Sequence, residues 1–267
     1  MTEVKSDSDL VQVRRVAGGG HSVAVVTLNR PAKLNAISAA LEGRLLEVIE
    51  SDEVQSAAAL VIHGEGRAFC AGADVTEFRG LDPRSIMDYY LAAGRLYEIV
   101  ADLPMVTIAA IHGYCIGGGF ELSLACDVRI AEASAVFGLP EAALGIVPSN
   151  GGLTRLVRAV GPARAKEVML WLDRFPAQRA LEFGLVTEVV DEGRSLAAAL
   201  EGAARMVALP PLAVRAIKRA SDVAAESSRA AGLVLEQLAY AALAQTHDAD
   251  EAALAFVEKR DPRFTGR

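Results

Sequence analysis

The chain has 267 residues, of which 52% are apolar and 23% charged, and its formal net charge is −7. This composition can fill a buried core and argues against disorder, and the length suits one large domain or a domain with an appendage. The acidic balance and the 5% aromatic content argue against a nucleic-acid partner, because a polyanion needs a basic surface and base stacking needs aromatic rings.

The N-terminus and the cysteines predict where the protein works. The first nine residues are polar and acidic, unlike the apolar centre of a signal peptide. No uninterrupted apolar run reaches the roughly 20 residues that a membrane helix needs. Cys70, Cys115 and Cys126 are an odd number with no close pair, which indicates reduced thiols. We therefore expect a cytoplasmic protein with no membrane partner.

The N-terminal part of the chain alternates strand and helix signals. Residues 18–20 predict a turn, and the valine-rich segment 21–29 predicts a strand. Ser38 is a candidate N-cap. The helix that follows it has one apolar face, formed by Leu41, Leu45, Val48 and Ile49. The apolar run 57–62 predicts a buried strand, which leads into the glycine-bearing loop 64–74.

The centre of the sequence combines a strand, three glycines and a carboxylate. A predicted helix over 83–100 is followed by the apolar run 106–111, which predicts a buried strand. Glycines 117–119 come next, and a helix is predicted from Glu121. The first amides of a helix have no internal acceptor and lie at its positive end, and glycine lets an anionic oxygen approach them. The pattern is that of an oxyanion site.

A second carboxylate occupies a similar position further along. Residues 127–131 predict another strand, and Glu141 follows Pro140 at a second predicted helix start. Each feature alone has a structural explanation, since acidic residues favour a first helical turn and glycines allow close packing. Together, donors for an oxyanion and two carboxylates indicate an acid/base enzyme.

The C-terminal part is predicted to be helical. The turn 148–152 precedes an amphipathic helix, and a strand is predicted over 185–190. Beyond residue 193 the sequence is alanine-rich, with little turn chemistry, which favours packing against a partner over catalysis. Asp248, with Glu251 three residues later, predicts a capping box that opens the last helix.

Several common catalytic motifs are absent from the sequence. It contains no phosphate-binding P-loop, no dinucleotide fingerprint, no Gly-x-Ser-x-Gly elbow and no His-Glu-x-x-His. A nucleotide phosphatase, a serine hydrolase and a zinc enzyme are therefore disfavoured. His112 could be a base beside the glycines, but a packed or solvated histidine at a strand end is the favoured interpretation. Cys115 and Cys126 are interpreted as small core residues.

Taken together, these motifs resemble the crotonase (enoyl-CoA hydratase/isomerase) superfamily over nearly the whole chain. The matching segments are Leu28-Asn-Arg-Pro-Ala-Lys-Leu-Asn-Ala36, Arg67-Ala-Phe-Cys-Ala-Gly-Ala-Asp74, Gly113-Tyr-Cys-Ile-Gly-Gly-Gly-Phe-Glu121, Phe137-Gly-Leu-Pro-Glu141, Gly152-Leu-Thr-Arg-Leu156 and Ala180-Leu-Glu-Phe-Gly-Leu-Val186. Their order and intervals are specific for the superfamily and much less specific for the reaction.

The resemblance implies an α/β fold, a spiral of ββα units with a C-terminal α-helical oligomerisation region. We divide the chain into a spiral core, residues 1–192, and a helical region, residues 193–267, that would assemble trimers, often paired into hexamers. The implied partner is an acyl-CoA thioester, whose carbonyl oxygen would lie between the backbone amides of Ala73 and Gly118. Further substrate contacts are expected from Ala71, Asp74, Val75, Thr76, Gly117 and Ser149.

The resemblance also implies a reaction. Family hydratases carry two glutamates, and both positions are glutamate here, Glu121 and Glu141. We expect syn addition of water to a 2-trans-enoyl-CoA, with Glu121 deprotonating the water and Glu141 supplying a proton to C2. No metal or separate cofactor is implied, because the CoA thioester itself is the electron sink. The alternatives are a Δ3-Δ2 enoyl-CoA isomerase or other acyl-CoA enolate chemistry, a non-catalytic acyl-CoA-binding assembly protein, and RNA binding through another surface.

Two features depart from the family pattern. Ser149 and Asn150 lie where family hydratases commonly have Gly-Ala, and either could reposition the water or bind a polar acyl group. Phe120 is larger than the residue often found there and is expected to shorten the acyl pocket. Candidate cations for the CoA phosphates, each also explicable as solvated surface charge, are Arg30, Lys33, Arg67 and Lys259.

Overall fold

The computed structural model of the chain describes residues 9–18, 21–78, 80 and 82–267, so residues 19 and 20 of the predicted turn lie outside the described part. The strands, in chain order, are β1 Val11–Gly18, β2 His21–Leu28, β3 Ala59–Gly64, β4 Ala68–Cys70, β5 Val106–Ile111, β6 Tyr114–Ile116, β7 Val128–Glu132, β8 Val136–Gly138, β9 Phe175–Pro176 and β10 Glu188–Val190. The α-helices are α1 Ala39–Ile49, α2 Asp52–Gln55, α3 Pro83–Asp102, α4 Gly118–Ala125, α5 Gly152–Lys166, α6 Ala177–Glu182, α7 Ser195–Val207, α8 Pro211–Glu226, α9 Arg229–Leu243 and α10 His247–Glu258.

A six-stranded sheet of order β1-β2-β3-β5-β7-β10 forms the centre of the molecule. All its neighbours are parallel except β1 and β2, which form an antiparallel pair. β5 is buried at all six positions, because helices and a second sheet cover both faces of a parallel sheet and leave no polar side to the strand. α7 packs on one face through Ala198, Ala199 and Ala203, while Leu41 and Leu45 of α1 join the core on the other.

A second, four-stranded sheet of order β4-β6-β8-β9 is the part of the fold that positions the site. β4, β6 and β8 are parallel neighbours of three residues each. Their carboxyl ends therefore lie at one edge of the sheet, and the loops that follow them leave from that edge. These loops begin at residues 71, 117 and 139. Open parallel sheets place ligands at such an edge.

The strong sequence signals are confirmed. The run 106–111 is β5, the run 57–62 overlaps β3, and the helix predicted over 83–100 is α3. Ser38 caps α1, with its hydroxyl accepting from the Leu41 N–H at 3.2 Å. The strand predicted over 185–190 is shorter, since only Glu188–Val190 pairs with β7.

One prediction from the sequence was wrong, and two elements of the fold were not predicted. The predicted capping box is absent, because Thr246 caps α10 and accepts from the Ala249 N–H at 3.2 Å. Asp248 is instead buried and accepts from the backbone N–H groups of Thr265 and Gly266 at 2.7 and 2.8 Å, which fastens the C-terminal tail. The second sheet was not predicted, since three-residue strands carry no readable alternation. β1 was not predicted either.

The helix that carries Glu121 begins three residues earlier than predicted, at Gly118. Glycine is a poor helix former, so sequence propensity placed the triple glycine in a loop. Packing overrides that preference, because a Cβ at Gly119 would lie 2.4 Å from the Cys70 carbonyl oxygen. The N-terminus of α4 consequently touches the end of β4.

The C-terminal helices carry many apolar side chains that this chain leaves uncovered. The most exposed large ones on α9 and α10 are Leu238, Tyr240, Phe256 and Val257, at 65%, 77%, 86% and 76% exposure. Within the described ranges, no single helix is long and apolar enough to cross a membrane, although α7 and α8, which meet at 107°, pass on length and composition as a bent pair. The division of the chain at residue 192 stays a prediction.

Candidate active site

A cavity of about 100 Å³ lies where the loops after β4, β6 and β8 meet. Eight of the residues predicted from sequence line it, namely Ala71, Ala73, Val75, Gly117, Gly118, Glu121, Glu141 and Ser149. The structure thus brings both predicted carboxylates and both predicted amide donors into one cavity, although they come from three separate segments of the chain.

Glu121 is held in this cavity by backbone donors. It lies in the first turn of α4 and is only 3% exposed. Its Oε1 accepts from the N–H groups of Asn150 and Gly152, at 2.9 and 3.0 Å. A Cβ at Gly152 would lie 2.4 Å from Glu121 Cγ, so only glycine allows this approach. Its Oε2 makes no hydrogen bond to a described residue.

Glu141 reaches the same cavity from a 3₁₀ turn, Pro140–Leu144. Its Oε1 would lie 3.0 Å from a Cβ at Gly117, whose φ of +51° also favours glycine. Its Oε2 is buried and has no hydrogen-bond partner among the described residues. A buried polar atom without a partner is costly, and such atoms in native structures commonly await a ligand or water.

The two carboxyl groups differ in their protonation. Burial raises the pKa of Glu121, but the N–H donors of Asn150 and Gly152 and the charge of Arg155 oppose this rise by stabilising the carboxylate. Burial raises the pKa of Glu141 to about 7, and the negative charge of Glu121 adds to the rise. Glu121 therefore ionises first, and Glu141 retains its proton close to neutrality.

The two predicted amide donors belong to residues that lie close together in the lining of the cavity. A Cβ at Gly118 would lie 3.7 Å from the Ala73 nitrogen, so the two loops are in close contact. Gly118 is the first residue of α4, where the N–H has no acceptor within the helix. Ala73 forms an isolated β-bridge with Ile37. In this bridge the Ile37 N–H donates to the Gly72 C=O, and the Asp74 N–H donates to the Ile37 C=O, so the Ala73 N–H is not used. Neither N–H has an acceptor among the described residues.

Asp74 and Thr76 are not brought into this cavity by the described structure. Asp74 instead pairs with Arg30 at 2.8 Å and accepts from the Thr76 hydroxyl at 2.6 Å. The Thr76 hydroxyl, followed by Arg30, lowers the pKa of Asp74. The charge of Arg30 is thereby neutralised, which weakens Arg30 as a candidate cation for the CoA phosphates.

Other candidates from the sequence lie elsewhere. His112 is hydrogen-bonded through Nε2 to the Gly66 carbonyl oxygen at 3.1 Å and does not line the described cavity. All three cysteines are free and buried, and burial raises the pKa of Cys70 and Cys126 to about 12, so neither forms a thiolate at neutral pH. The expectation that Phe120 shortens the acyl pocket was wrong, because its ring packs in the core against Phe137 and Phe175.

A second, larger cavity of about 570 Å³ adjoins the first. The two share Val75, Leu144, Ile146, Val147 and Ser149. The lining of the larger one is apolar apart from backbone groups and the Ser149 hydroxyl. We call the smaller one the carboxylate cavity and the larger one the apolar cavity. An apolar ligand chain in the apolar cavity could extend from a reacting group in the carboxylate cavity.

Sequence reasoning missed the residue that braces the loop above Glu121. Arg155 of α5 donates to the Asn150 carbonyl oxygen at 3.0 Å and to Glu98 Oε1 at 2.7 Å. It therefore holds the segment whose N–H groups bind Glu121. Its position one helical turn after Gly151 was visible in the sequence, but only the folded loop shows what it contacts.

The chain was compared with known proteins. The family described as enoyl-CoA hydratase/isomerase matches residues 18–267. A probable mitochondrial enoyl-CoA hydratase 2 of Arabidopsis thaliana is 36% identical over 98% of this chain and 87% of the relative. The 2,3-dehydroadipyl-CoA hydratase of Escherichia coli (strain K12) is 38% identical over 92% of this chain and 96% of the relative.

Comparison of the fold with solved structures leads to the same family. The crystal structure of an enoyl-CoA hydratase from Bacillus anthracis matches with a TM-score of 0.89 at 36% identity, covering 97% of this chain and 100% of the other. A family match over more than nine-tenths of the chain and relatives of nearly the same length agree with it. The chain belongs to the crotonase superfamily, the enoyl-CoA hydratase/isomerase family.

The protonation of Glu141 can be tested directly. Carbon-13 NMR of carboxyl-labelled glutamate should show one group titrating near pH 7, identified by its loss in Glu141→Gln. In Glu121→Gln the pKa of Glu141 should fall, because a neighbouring negative charge is removed, yet stay above the usual range, because burial is the larger cause. Glu65→Gln, at an exposed site, is the control. An ordinary glutamate pKa for Glu141 in the unchanged protein would contradict the assignment.

Proposed function

We propose that this protein is an enoyl-CoA hydratase that adds water reversibly to a 2-trans-enoyl-CoA and forms a 3-hydroxyacyl-CoA. The observation that carries the proposal is the pair of buried carboxyl groups in one cavity, of which Glu121 is stabilised as a carboxylate and Glu141 keeps its proton to about pH 7. Hydration needs one base and one acid at adjacent carbons, and the environments of the two groups supply this difference.

The proposed reaction uses each group once. Glu121 Oε2 takes a proton from the water as the water oxygen bonds to C3. The C2–C3 double bond then gives its electrons to the thioester as an enolate. Glu141 transfers its proton to C2, the enolate collapses to the thioester, and a proton passes from Glu121 back to Glu141 before the next turnover. The sum is the addition of one water molecule.

The amides of Ala73 and Gly118 have the task of stabilising the enolate oxygen in this proposal. They stabilise the transition state more than the substrate, because the negative charge on that oxygen grows during the reaction. Loss of one such donor typically costs about 3 kcal/mol of transition-state stabilisation. The thioester is itself the electron sink, so the proposed chemistry calls on no metal and no cofactor beyond the CoA of the substrate.

The nature of the adjoining cavity supports an apolar acyl chain as the substrate. Its walls are the side chains of Val75, Ile86, Leu144, Ile146 and Val147. The relatives compared above carry hydratase names, which favours hydration over the isomerase alternative. An isomerase needs one group to move a proton between C2 and C4, whereas here a second acid is buried at the same place.

Labelled water distinguishes hydration from isomerisation. After incubation of an enoyl-CoA in H₂¹⁸O, mass spectrometry should find one ¹⁸O in the acyl group of the product. Glu121→Gln and Glu141→Gln should each lower the rate by about 10²- to 10⁴-fold, the usual range for a general base or acid, while exposed Glu65→Gln should not. An isomerised product without label would contradict hydration, and unchanged rates in both variants would remove the two glutamates from the mechanism.

The pH dependence of kcat/KM should be bell-shaped. On the acid side activity falls as Glu121 becomes protonated, with a midpoint above a glutamate's usual pKa. On the basic side hydration falls above about pH 7, because Glu141 loses the proton that C2 must receive. Initial rates across the pH range measure both limbs. A flat profile on the basic side would contradict the role of Glu141.

The proposal includes assembly as a homotrimer, alone or paired into a hexamer. The apolar side chains exposed on α9 and α10, such as Tyr240 and Phe256, support it, because a monomer rarely leaves such a surface uncovered. Native mass spectrometry should show three or six chains, and Phe256→Glu should weaken the assembly more than Asp250→Ala on the same helix. A monomer at micromolar concentration would refute this part of the proposal.

A further inference from the structure

The side-chain oxygen of Asn150 is buried and has no hydrogen-bond partner in the described part of the chain. Asn150 is 8% exposed, and its Oδ1 is fully buried with no hydrogen bond to any described residue. Only four buried side-chain atoms of the described residues lack a partner, and two of them, Asn150 Oδ1 and Glu141 Oε2, belong to residues that line the carboxylate cavity. Unpartnered buried polar atoms are destabilising, which points to a ligand that satisfies them.

The backbone of Asn150 is fixed at both ends. Its N–H donates to Glu121 Oε1 at 2.9 Å, and its C=O accepts from Arg155 at 3.0 Å. These two bonds hold the Asn150 Cα beside the Glu121 carboxylate. The side chain therefore begins within a few bonds of the group to which we assign the base.

The cavity that Asn150 lines indicates which part of a bound substrate its side chain can contact. Asn150 lines the carboxylate cavity but not the apolar cavity. Ser149, its neighbour, lines both. A residue that recognised a polar group far along the acyl chain would be expected in the apolar cavity. Asn150 instead lines the cavity that contains Glu121 and Glu141.

We infer that Asn150 is a third catalytic residue, after Glu121 and Glu141, and that it helps to hold the attacking water, which donates one hydrogen to Glu121 Oε2 and the other to Asn150 Oδ1. This inference rests on the proposed hydratase function. A water molecule has two hydrogens to place, and a protonated Glu141 supplies a hydrogen rather than accepting one. With both hydrogens held, a lone pair of the water oxygen is directed at C3. A cavity of about 100 Å³ has room for such a water.

The two hydrogens of the water have different fates. The hydrogen that the water donates to Glu121 is transferred to Glu121 as the O–C3 bond forms. The hydrogen that it donates to Asn150 stays on the oxygen and becomes the hydrogen of the 3-hydroxyl group. Asn150 therefore orients the nucleophile and exchanges no proton. Its loss should slow the attack on C3 and leave proton transfer at C2 intact.

Two substitutions test the inference, and both keep the backbone N–H that binds Glu121. Asn150→Leu has nearly the same volume without polar atoms, and Asn150→Ala is smaller. Each should lower kcat for hydration by about 10- to 100-fold, the scale of a misplaced reactant, with little change in KM. The melting temperature should not fall in Asn150→Leu, because an unpartnered polar group has been removed.

A second reaction, hydrogen exchange at C2, shows whether Asn150 orients the water or only supports the structure of the site. In D₂O above the pKa of Glu141, ionised Glu141 should remove a proton from C2 of a saturated thioester, butyryl-CoA. The proton on Glu141 then exchanges with the solvent, and Glu141 returns a deuteron to C2 of the enolate, which needs no water at C3. The rate of this exchange, measured by mass spectrometry, should be retained in both variants. Thr154→Ala, which changes a residue outside both cavities on the same helix as Arg155, is the control for handling.

Each other outcome overturns the inference. Unchanged hydration means that Asn150 does not hold the water, and an equal loss of hydration and exchange means that it only supports the site. A defect limited to the KM of an enoyl-CoA with a polar acyl chain would assign Asn150 to substrate recognition. If the unchanged enzyme incorporates no ¹⁸O, the hydratase proposal itself fails and takes this inference with it.

Discussion

Two backbone N–H groups that hold one carboxylate inside the protein are the interaction on which the site depends. Glu121 is almost fully buried, and without the donors of Asn150 and Gly152 its charge would be strongly disfavoured. The donors can approach only because residue 152 has no Cβ. Arg155 then fixes the loop from the other side. The stability of a carboxylate at this position is therefore a property of the loop as much as of the glutamate.

The second carboxyl group is different because nothing comparable supports it. Glu141 has a buried oxygen with no partner among the residues that the structure describes, and the charge of Glu121 opposes its ionisation. The same chemical group thus acquires two protonation states in one cavity, which is how a protein obtains an acid and a base from two glutamates at neutral pH. The cost is a pair of unsatisfied buried atoms, which a bound water and substrate would satisfy.

The small second sheet brings these groups together. β4, β6 and β8 are only three residues long, yet their parallel pairing aligns three loops that are far apart in sequence. One loop carries the Ala73 amide, the next carries Gly118 and Glu121, and the third carries Glu141. The larger sheet provides the buried platform, and the second sheet determines which loop ends lie together.

Family membership limits the chemistry without selecting the reaction. The family includes hydratases and isomerases by its own description, and the amides and carboxylates fit the enolate chemistry that the two share. In the function that we propose, the water and the acyl chain are held by the segment from Ser149 to Gly152 and by the apolar residues beside it, so this short loop is where the proposed reaction would be specified.

The sequence by itself determined the long, fully buried elements and the chemical groups of the site. The runs that became β3 and β5 and the N-cap at Ser38 were readable because burial and capping leave local patterns. Ala73, Gly118, Glu121 and Glu141 could be selected by their match to family motifs. Only the tertiary structure decided their environments, since hydrogen bonds such as that from Asn150 to Glu121 join residues 29 positions apart. For the same reason Asp248 was assigned to a cap and Phe120 to the pocket, because local sequence does not reveal what a distant segment will cover.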